Sequence, residues 1–249
     1  MKNNPKSYGG EERSPKWLLR SPERNPKSTA AFFDVDGTIV NTTIVHYYVQ
    51  IRSSLLPAFL RPFWFAWFAL KAVYYVLLDK ASRSTFNRVF YRNYRRLRSE
   101  RVKQLAEGKL SQYLIARIFP AALDQVRTHK NRGELIVLVT GSLDFIVQPL
   151  AAHLNADHVL SVQLREENGR FTGELVTEPL AGVEKANAVT EFAKRHNIEL
   201  SRSYAYGDSE ADVPMLQCVG NPCVINPKKQ FRRIARTHGW RVLRWTEEI

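Results

Sequence analysis

Apolar residues in this chain arrive in short blocks, and several blocks stop abruptly at a polar group. Thr29 to Val35 is short, apolar and β-inclined, the pattern of a strand covered on both faces of a parallel sheet, and it runs into Asp34, Asp36, Gly37 and Thr38. From Pro120 to about Lys130 the spacing predicts a helix, broken at Gly133. Leu135 to Val139 follows as a second buried strand ending in Thr140-Gly141-Ser142, with Ser142 expected to cap the next helix. Val159 to Val176 reads as a hairpin turned at Asn168-Gly169. Ala188, Val189 and Phe192 set a helix over Glu184 to His196, with Lys185 in its first turn, where the helix dipole opposes a cation. Tyr204 to Tyr206 is a third strand, ending in Gly207-Asp208 with Asp212 just beyond. Cys223 to Asn226 is a fourth, followed by a basic helix from about Lys228 to His238. Strands alternating with helices predict an α/β fold, a doubly wound and mostly parallel sheet.

Between the first strand and Pro120 the pattern changes. Thr42 or Thr43 is suited to cap a helix running through His46, Tyr47 and Tyr48. Leu55 to Leu78 is the most apolar and aromatic part of the chain, and Phe63 to Leu78 is apolar almost all round a helix. Crossing a bilayer takes roughly 20 apolar residues, whereas this run is shorter, carries Lys71 and borders Arg61, so a spanning helix is rejected. From Asp79 to Lys103 nine Lys and Arg face two acidic residues, and this stretch is expected to form an Arg-studded helix. Two readings stand side by side: a small helical bundle with an aromatic core, or an interfacial surface facing anionic lipid.

Composition narrows the classes. With 249 residues the chain has room for an α/β core and a smaller insertion. Two cysteines, Cys218 and Cys223, are too few for a disulfide framework, so a reducing, cytoplasmic compartment is expected, with peripheral contact at the inner membrane face under the lipid reading. Residues 1–28 read as a flexible basic leader, and no apolar segment follows their charges as a signal peptide requires. A net charge of +13 suggests polyanionic company: phosphorylated substrate, anionic membrane or nucleic acid. A nucleic-acid-binding protein using Arg88 to Lys103 is the reading from another class.

The strand ends gather Asp34, Asp36, Thr140, Ser142, Lys185, Asp208 and Asp212. Carboxylates, hydroxyls and one ammonium are the inventory of a magnesium-dependent phosphoryl site. Mg²⁺ takes carboxylate and water oxygens and bridges to phosphate. A carboxylate nucleophile splits a difficult hydrolysis into two easier steps, and charge on the phosphoryl oxygens needs donors and cations already in place.

These four motifs resemble the haloacid dehalogenase superfamily of phosphatases, specifically the phosphoserine-phosphatase-like branch with a helical cap inserted after the first motif. The resemblance runs from about Thr29 to the C-terminus. It implies Asp34 as nucleophile and Asp36 as general acid, then base. It implies phosphate binding by Gly37, Thr140, Gly141 and Lys185, and Mg²⁺ held by Asp34, the Asp36 backbone carbonyl and Asp208, with Asp212 in support. It further implies a catalytic core over residues 29–40 and 120–249, and a cap over 41–119 that selects substrate. Thr43 stands where phosphoserine phosphatases carry a Glu that reads the substrate's amino group, and Ala211 stands where the fourth motif has Asn. The Thr140-Gly141-Ser142 ending and the aromatic, Arg-rich cap are similar to the neighbouring phosphatidylglycerophosphate phosphatases. The expected reaction is therefore phosphomonoester hydrolysis, on a phosphorylated lipid or on a small soluble ester such as phosphoserine.

Overall fold

In the computed structural model, which describes residues 28–246, six strands form one parallel sheet in the order β3-β2-β1-β6-β7-β8. The leader expected over residues 1–28 lies, but for Ser28, outside the described residues. β1 (Ala30–Phe33) occupies an inner position, paired in parallel with β2 (Leu135–Leu143) and β6 (Tyr204–Gly207). Its four residues are all fully buried. Alternation along the strand sends Ala31 and Phe33 into one core layer and Ala30 and Phe32 into the other, so both faces are covered and no position is free to be polar. Each buried Phe contributes roughly 1.5–3 kcal/mol, which anchors the strand from whose end the acidic residues project.

The remaining strands differ from expectation in detail. β3 (His158–Val162) does not form a hairpin arm; it pairs in parallel with β2 after the crossover through α7 (Asp144–Leu154). The hairpin is confined to β4 (Leu164–Glu167) and β5 (Arg170–Leu175), turned at Asn168-Gly169 as predicted, with both turn residues in the left-handed region. A strand end and a hairpin arm share one periodicity, and only the pairing partner separates them. β2 stays extended to Leu143, so Ser142 lies one residue too early to cap α7, whose N-cap is Leu143. β7 (Asn221–Ile225) and an additional short strand, β8 (Arg241–Leu243), complete the sheet, flanked by α8 (Val183–Arg195), α9 (Val213–Gln217) and α10 (Lys229–Thr237).

Between β1 and α6 (Pro120–Asn131) the chain is helical: α1 (Ile44–Leu55), α2 (Arg61–Ala81), α3 (Arg83–Tyr91), α4 (Ser99–Leu105) and α5 (Ser111–Ile115), the last two joined by a π-helical turn. Their core is aromatic. Tyr48 packs on Trp64, Phe68, Phe90 and Tyr94, while Trp64 stacks on Phe68 at 5.0 Å. The single Arg-studded helix does not form. The chain breaks after α3, with Arg96 at φ 67°, because its backbone turns to bond the hairpin: Arg96 N–H donates to the Phe171 carbonyl and Ser99 N–H to Gly169. Phe171 in turn stacks on Phe145 and meets Tyr94 edge-on, tying helices and hairpin together. No helix among the described residues is long and apolar enough to cross a membrane.

Candidate active site

Immediately after β1 the Asp34 N–H donates to the Tyr206 carbonyl, extending the ladder by one residue, and then the chain folds back. Ile39 and Val40 N–H groups bond the Val35 carbonyl, and Gly37 N–H bonds the Val40 carbonyl. Gly37 has φ +87°, and a Cβ there would lie 2.3 Å from an Asp208 carboxylate oxygen. Both facts require glycine, one by backbone strain and the other by contact. The turn therefore presses the end of β1 against the end of β6.

Asp34 and Asp36 leave this turn into different surroundings. Asp34 is buried; its Oδ1 accepts from Lys185 Nζ at 2.5 Å and its Oδ2 from Thr38 Oγ1 at 3.1 Å. Lys185 also donates to Asp212 Oδ1 at 2.7 Å, and Asp212 Oδ2 accepts from the Ser209 hydroxyl and N–H. Burial pushes Asp34 up to about 7, opposed by Lys185 and reinforced by Asp212 and Asp36. Burial disfavours the Lys185 cation, but its two carboxylate partners outweigh that and hold it protonated. The first-turn cation, uncomfortable against the helix dipole, is thus answered by two anions.

Asp36 faces the cleft and meets hydroxyls instead of an ammonium. Its Oδ2 accepts from Ser142 Oγ at 2.6 Å and Thr140 Oγ1 at 3.5 Å, and its Oδ1 accepts from the Tyr47 hydroxyl. Thr42 bonds the same Tyr47 hydroxyl at 2.6 Å. Burial raises the Asp36 pKa, while the bonds from Ser142 and Tyr47 hold it back. Ser142, a strand-end hydroxyl and expected helix cap in the sequence, does not cap but orients this carboxylate; Tyr47 is legible from sequence only as a helix residue. Its signal lay in the periodicity, since Ile44, Tyr47, Tyr48 and Ile51 form the buried face of α1.

The Asp34, Asp208 and Asp212 carboxylates lie within 4.8 Å of one another. Burial, then the charges of Asp34 and Asp212, drive the Asp208 pKa well up, with Lys185 and Arg83 as weaker opposing charges. Three crowded carboxylates with oxygen donors only fit a hard divalent cation such as Mg²⁺. The Asp36 carboxylate is not one of these three and is bonded by the Ser142 and Tyr47 hydroxyls instead.

The cleft above these groups encloses about 330 Å³. Its walls come from two sources: Asp34, Lys185 and Ser209 from the sheet side, and Thr43, Arg83 and Asn87 from the helices. Gly141 is pinned by Tyr91, whose hydroxyl donates to its carbonyl at 2.6 Å, and a Cβ on it would lie 2.7 Å from Asn87 Nδ2. Thr43 caps α1 in a reciprocal box with His46, so it spends its bonds on the helix while facing the cleft. Ala211 supports the fourth motif only through its carbonyl, which accepts from Gly182 N–H at 2.9 Å. Arg83 and Asn87 were not singled out from sequence, because nothing in an Arg-rich run distinguishes the one that turns inward.

Residues 31–217 match the family described as haloacid dehalogenase-like hydrolase. The chain is 32% identical over 233 residues to a probable phosphatase of Mycobacterium tuberculosis, covering 89% of this chain and 77% of that protein. It is 30% identical over 230 residues to a phosphoserine phosphatase of the same organism, covering 86% and 70%. Among solved structures, the phospho-aspartyl intermediate analogue of a phosphoserine phosphatase superposes with a TM-score of 0.64 at 21% identity, covering 83% of this chain and 90% of that one. The chain belongs to the haloacid dehalogenase-like hydrolase family, resembles its phosphoserine-phosphatase-like members, and is a phosphatase of the haloacid dehalogenase type.

Proposed function

We propose that the enzyme hydrolyses phosphomonoesters with Mg²⁺ through an aspartyl-phosphate on Asp34. The observation that carries this reading is the division of labour two residues apart: Asp34 is bonded by an ammonium and Asp36 by hydroxyls. Burial raises both carboxylates, but Lys185 beside Asp34 opposes that rise and favours its ionised, nucleophilic form, whereas the hydroxyl partners of Asp36 suit it to hold and release a proton.

In the first step an Asp34 oxygen attacks phosphorus, the ester P–O bond breaks, and Asp36 gives its proton to the leaving oxygen. In the second, Asp36 takes a proton from water as that water attacks the aspartyl-phosphate, releasing phosphate and restoring Asp34. Thr140, the backbone at Gly37 and Gly141, and Lys185 hold the phosphoryl oxygens. Asp34, Asp208 and the Asp36 carbonyl, with Asp212 in support, would hold Mg²⁺, which would supply charge neutralisation at phosphorus. Residues 29–40 and 120–249 serve as catalytic core, and residues 41–119 act as a cap.

For the substrate, a phosphomonoester presented at an anionic membrane is favoured over free phosphoserine, because Thr43 offers no carboxylate for an ammonium and Asp79, the helical carboxylate that lines the cleft, is already paired with Arg83 at 2.8 Å. A cytoplasmic enzyme in peripheral contact with the inner membrane face fits this substrate. The chemistry is tested with p-nitrophenyl phosphate: turnover is expected with Mg²⁺, and none with EDTA or in Asp34→Asn. Near-normal turnover by folded Asp34→Asn overturns the reading.

A further inference from the structure

Water meets an unusual surface along α2. Phe63, Leu70 and Leu77 are 75%, 77% and 62% exposed, and Phe59, Trp67 and Val73 lie on the same side. Positions 59, 63, 67, 70, 73 and 77 recur at helical spacing, so these side chains form one continuous stripe. The opposite side of the same helix carries Trp64, Phe68 and Tyr75 into the aromatic core. One side of α2 is therefore packed, and the other has no partner among the described residues.

Charge identifies what covers it. Lys71 is the lone charged residue between Arg61 and Asp79, and it is held at the edge of the stripe: Nζ donates to Asn93 Oδ1 at 2.8 Å and lies 5.0 Å from the Trp67 ring centre and 5.5 Å from that of Tyr75. Arg61 and Lys80, both exposed, stand at the two ends of the helix. Asp79 is engaged by Arg83 at 2.8 Å. A second copy of this chain is a poor occupant: antiparallel pairing sets Arg61 against Lys80, and parallel pairing sets Arg61 against Arg61. A surface that is apolar within and anionic at its edge answers both the stripe and its ends.

The position of the cleft agrees. One helical turn beyond Leu77, Lys80 and Ala81 line the groove that leads to Asp208 and Ser209, and Arg83 lines both this groove and the cleft itself. We propose that α2 lies in the headgroup plane of an anionic bilayer, its stripe among the acyl chains. Resting on the phosphatase reading above, this lays the mouth of the cleft beside lipid headgroups, so phosphomonoesters exposed at that surface enter without crossing bulk water.

The test is flotation of the full chain with equimolar phosphatidylglycerol and phosphatidylcholine vesicles, set against phosphatidylcholine alone, at low salt. The wild type is expected to float with the anionic vesicles and to release as salt rises. The triple variant F63Q/L70Q/L77Q is expected to lose more than ten-fold in partitioning while keeping its far-ultraviolet circular dichroism and its p-nitrophenyl phosphate turnover. Arg61→Gln, which leaves the stripe intact, is expected to weaken partitioning about five-fold, from about 1 kcal/mol per basic residue near the surface. A wild type that stays in the pellet, or a folded triple variant that floats as well as wild type, overturns the proposal. So does a wild-type dimer in sedimentation analysis that the triple variant dissolves, which assigns the stripe to a second copy. Absence of wild-type turnover on p-nitrophenyl phosphate counts against the phosphatase chemistry instead, and flotation reads the docking separately.

Discussion

The strand-end cluster and the outward side of α2 hold opposite kinds of misfit: carboxylates where water is excluded, and large apolar side chains where water is present. In the first, the misfit is answered inside the molecule. Asp34 and Asp212 share Lys185, Asp36 has Ser142 and Tyr47, and Asp212 also has Ser209. Along α2 the stripe from Phe63 to Leu77 has no answer among the described residues. A buried charge without a partner costs several kcal/mol, so the fold pairs these carboxylates and leaves Asp208, crowded by Asp34 and Asp212, to a cation or a proton. An exposed apolar side chain costs far less and can wait for an external partner. The first region is accordingly legible as chemistry and the second as contact.

Substitutions should separate the two regions sharply. Asp36→Asn removes the proposed proton carrier and is expected to lower the single-turnover rate of the first step on phosphomonoesters with poor leaving groups by about 10²–10⁴-fold, with a smaller loss on p-nitrophenyl phosphate; equal first-step loss on both would contradict the acid role. Lys185→Met leaves the facing Asp34 and Asp212 carboxylates without their shared cation and is expected to cost about 3–5 kcal/mol in urea unfolding at neutral pH.

Removing the divalent cation tests the same crowding without mutation. Asp34 has its pKa raised to about 7 in the fold, against 3.8 unfolded, so the native state holds more protons between those values. Stability from this group is full below 3.8 and is lost as pH rises toward 7. Metal-free protein is therefore expected to show a Tm that falls across this window, with added Mg²⁺ raising Tm most at the alkaline end; a flat or rising profile in EDTA contradicts the assignment. The smallest effect belongs to α2: Leu70→Gln is expected to shift unfolding free energy by less than about 0.5 kcal/mol. A large loss there would mean that the stripe is packed after all.

Most of the core could be read from residue order. An apolar run buried on both faces, such as Ala30 to Phe33, has few alternatives to an inner parallel strand, and a carboxylate at its end has few reasons to be there. Lys185 was legible for a similar reason, since a first-turn cation conflicts with the helix dipole unless an anion answers it. What escaped were relations that depend on distant pairing. Ser142 and Tyr47 reach Asp36 across 106 and 11 positions of sequence, and no local pattern states that either hydroxyl aims there. Likewise the Arg-rich stretch breaks at Arg96 because Phe171 and Gly169, far along the chain, offer carbonyls to its backbone. Helix periodicity marked α2 as apolar all round, but which side the aromatic core would take was set by Tyr48, Phe86 and Phe90 on other helices.

The division of labour between Asp34 and Asp36 is tested most directly by acid-quenching Asp36→Asn during reaction with p-nitrophenyl phosphate and Mg²⁺, then mapping phosphoryl adducts by peptide mass spectrometry. With its leaving group needing no proton, the variant should complete the first step and stall in the second. A phosphoryl adduct accumulating on Asp34 is the predicted result. Turnover with no adduct at any point, or an adduct on a residue other than Asp34, would contradict it.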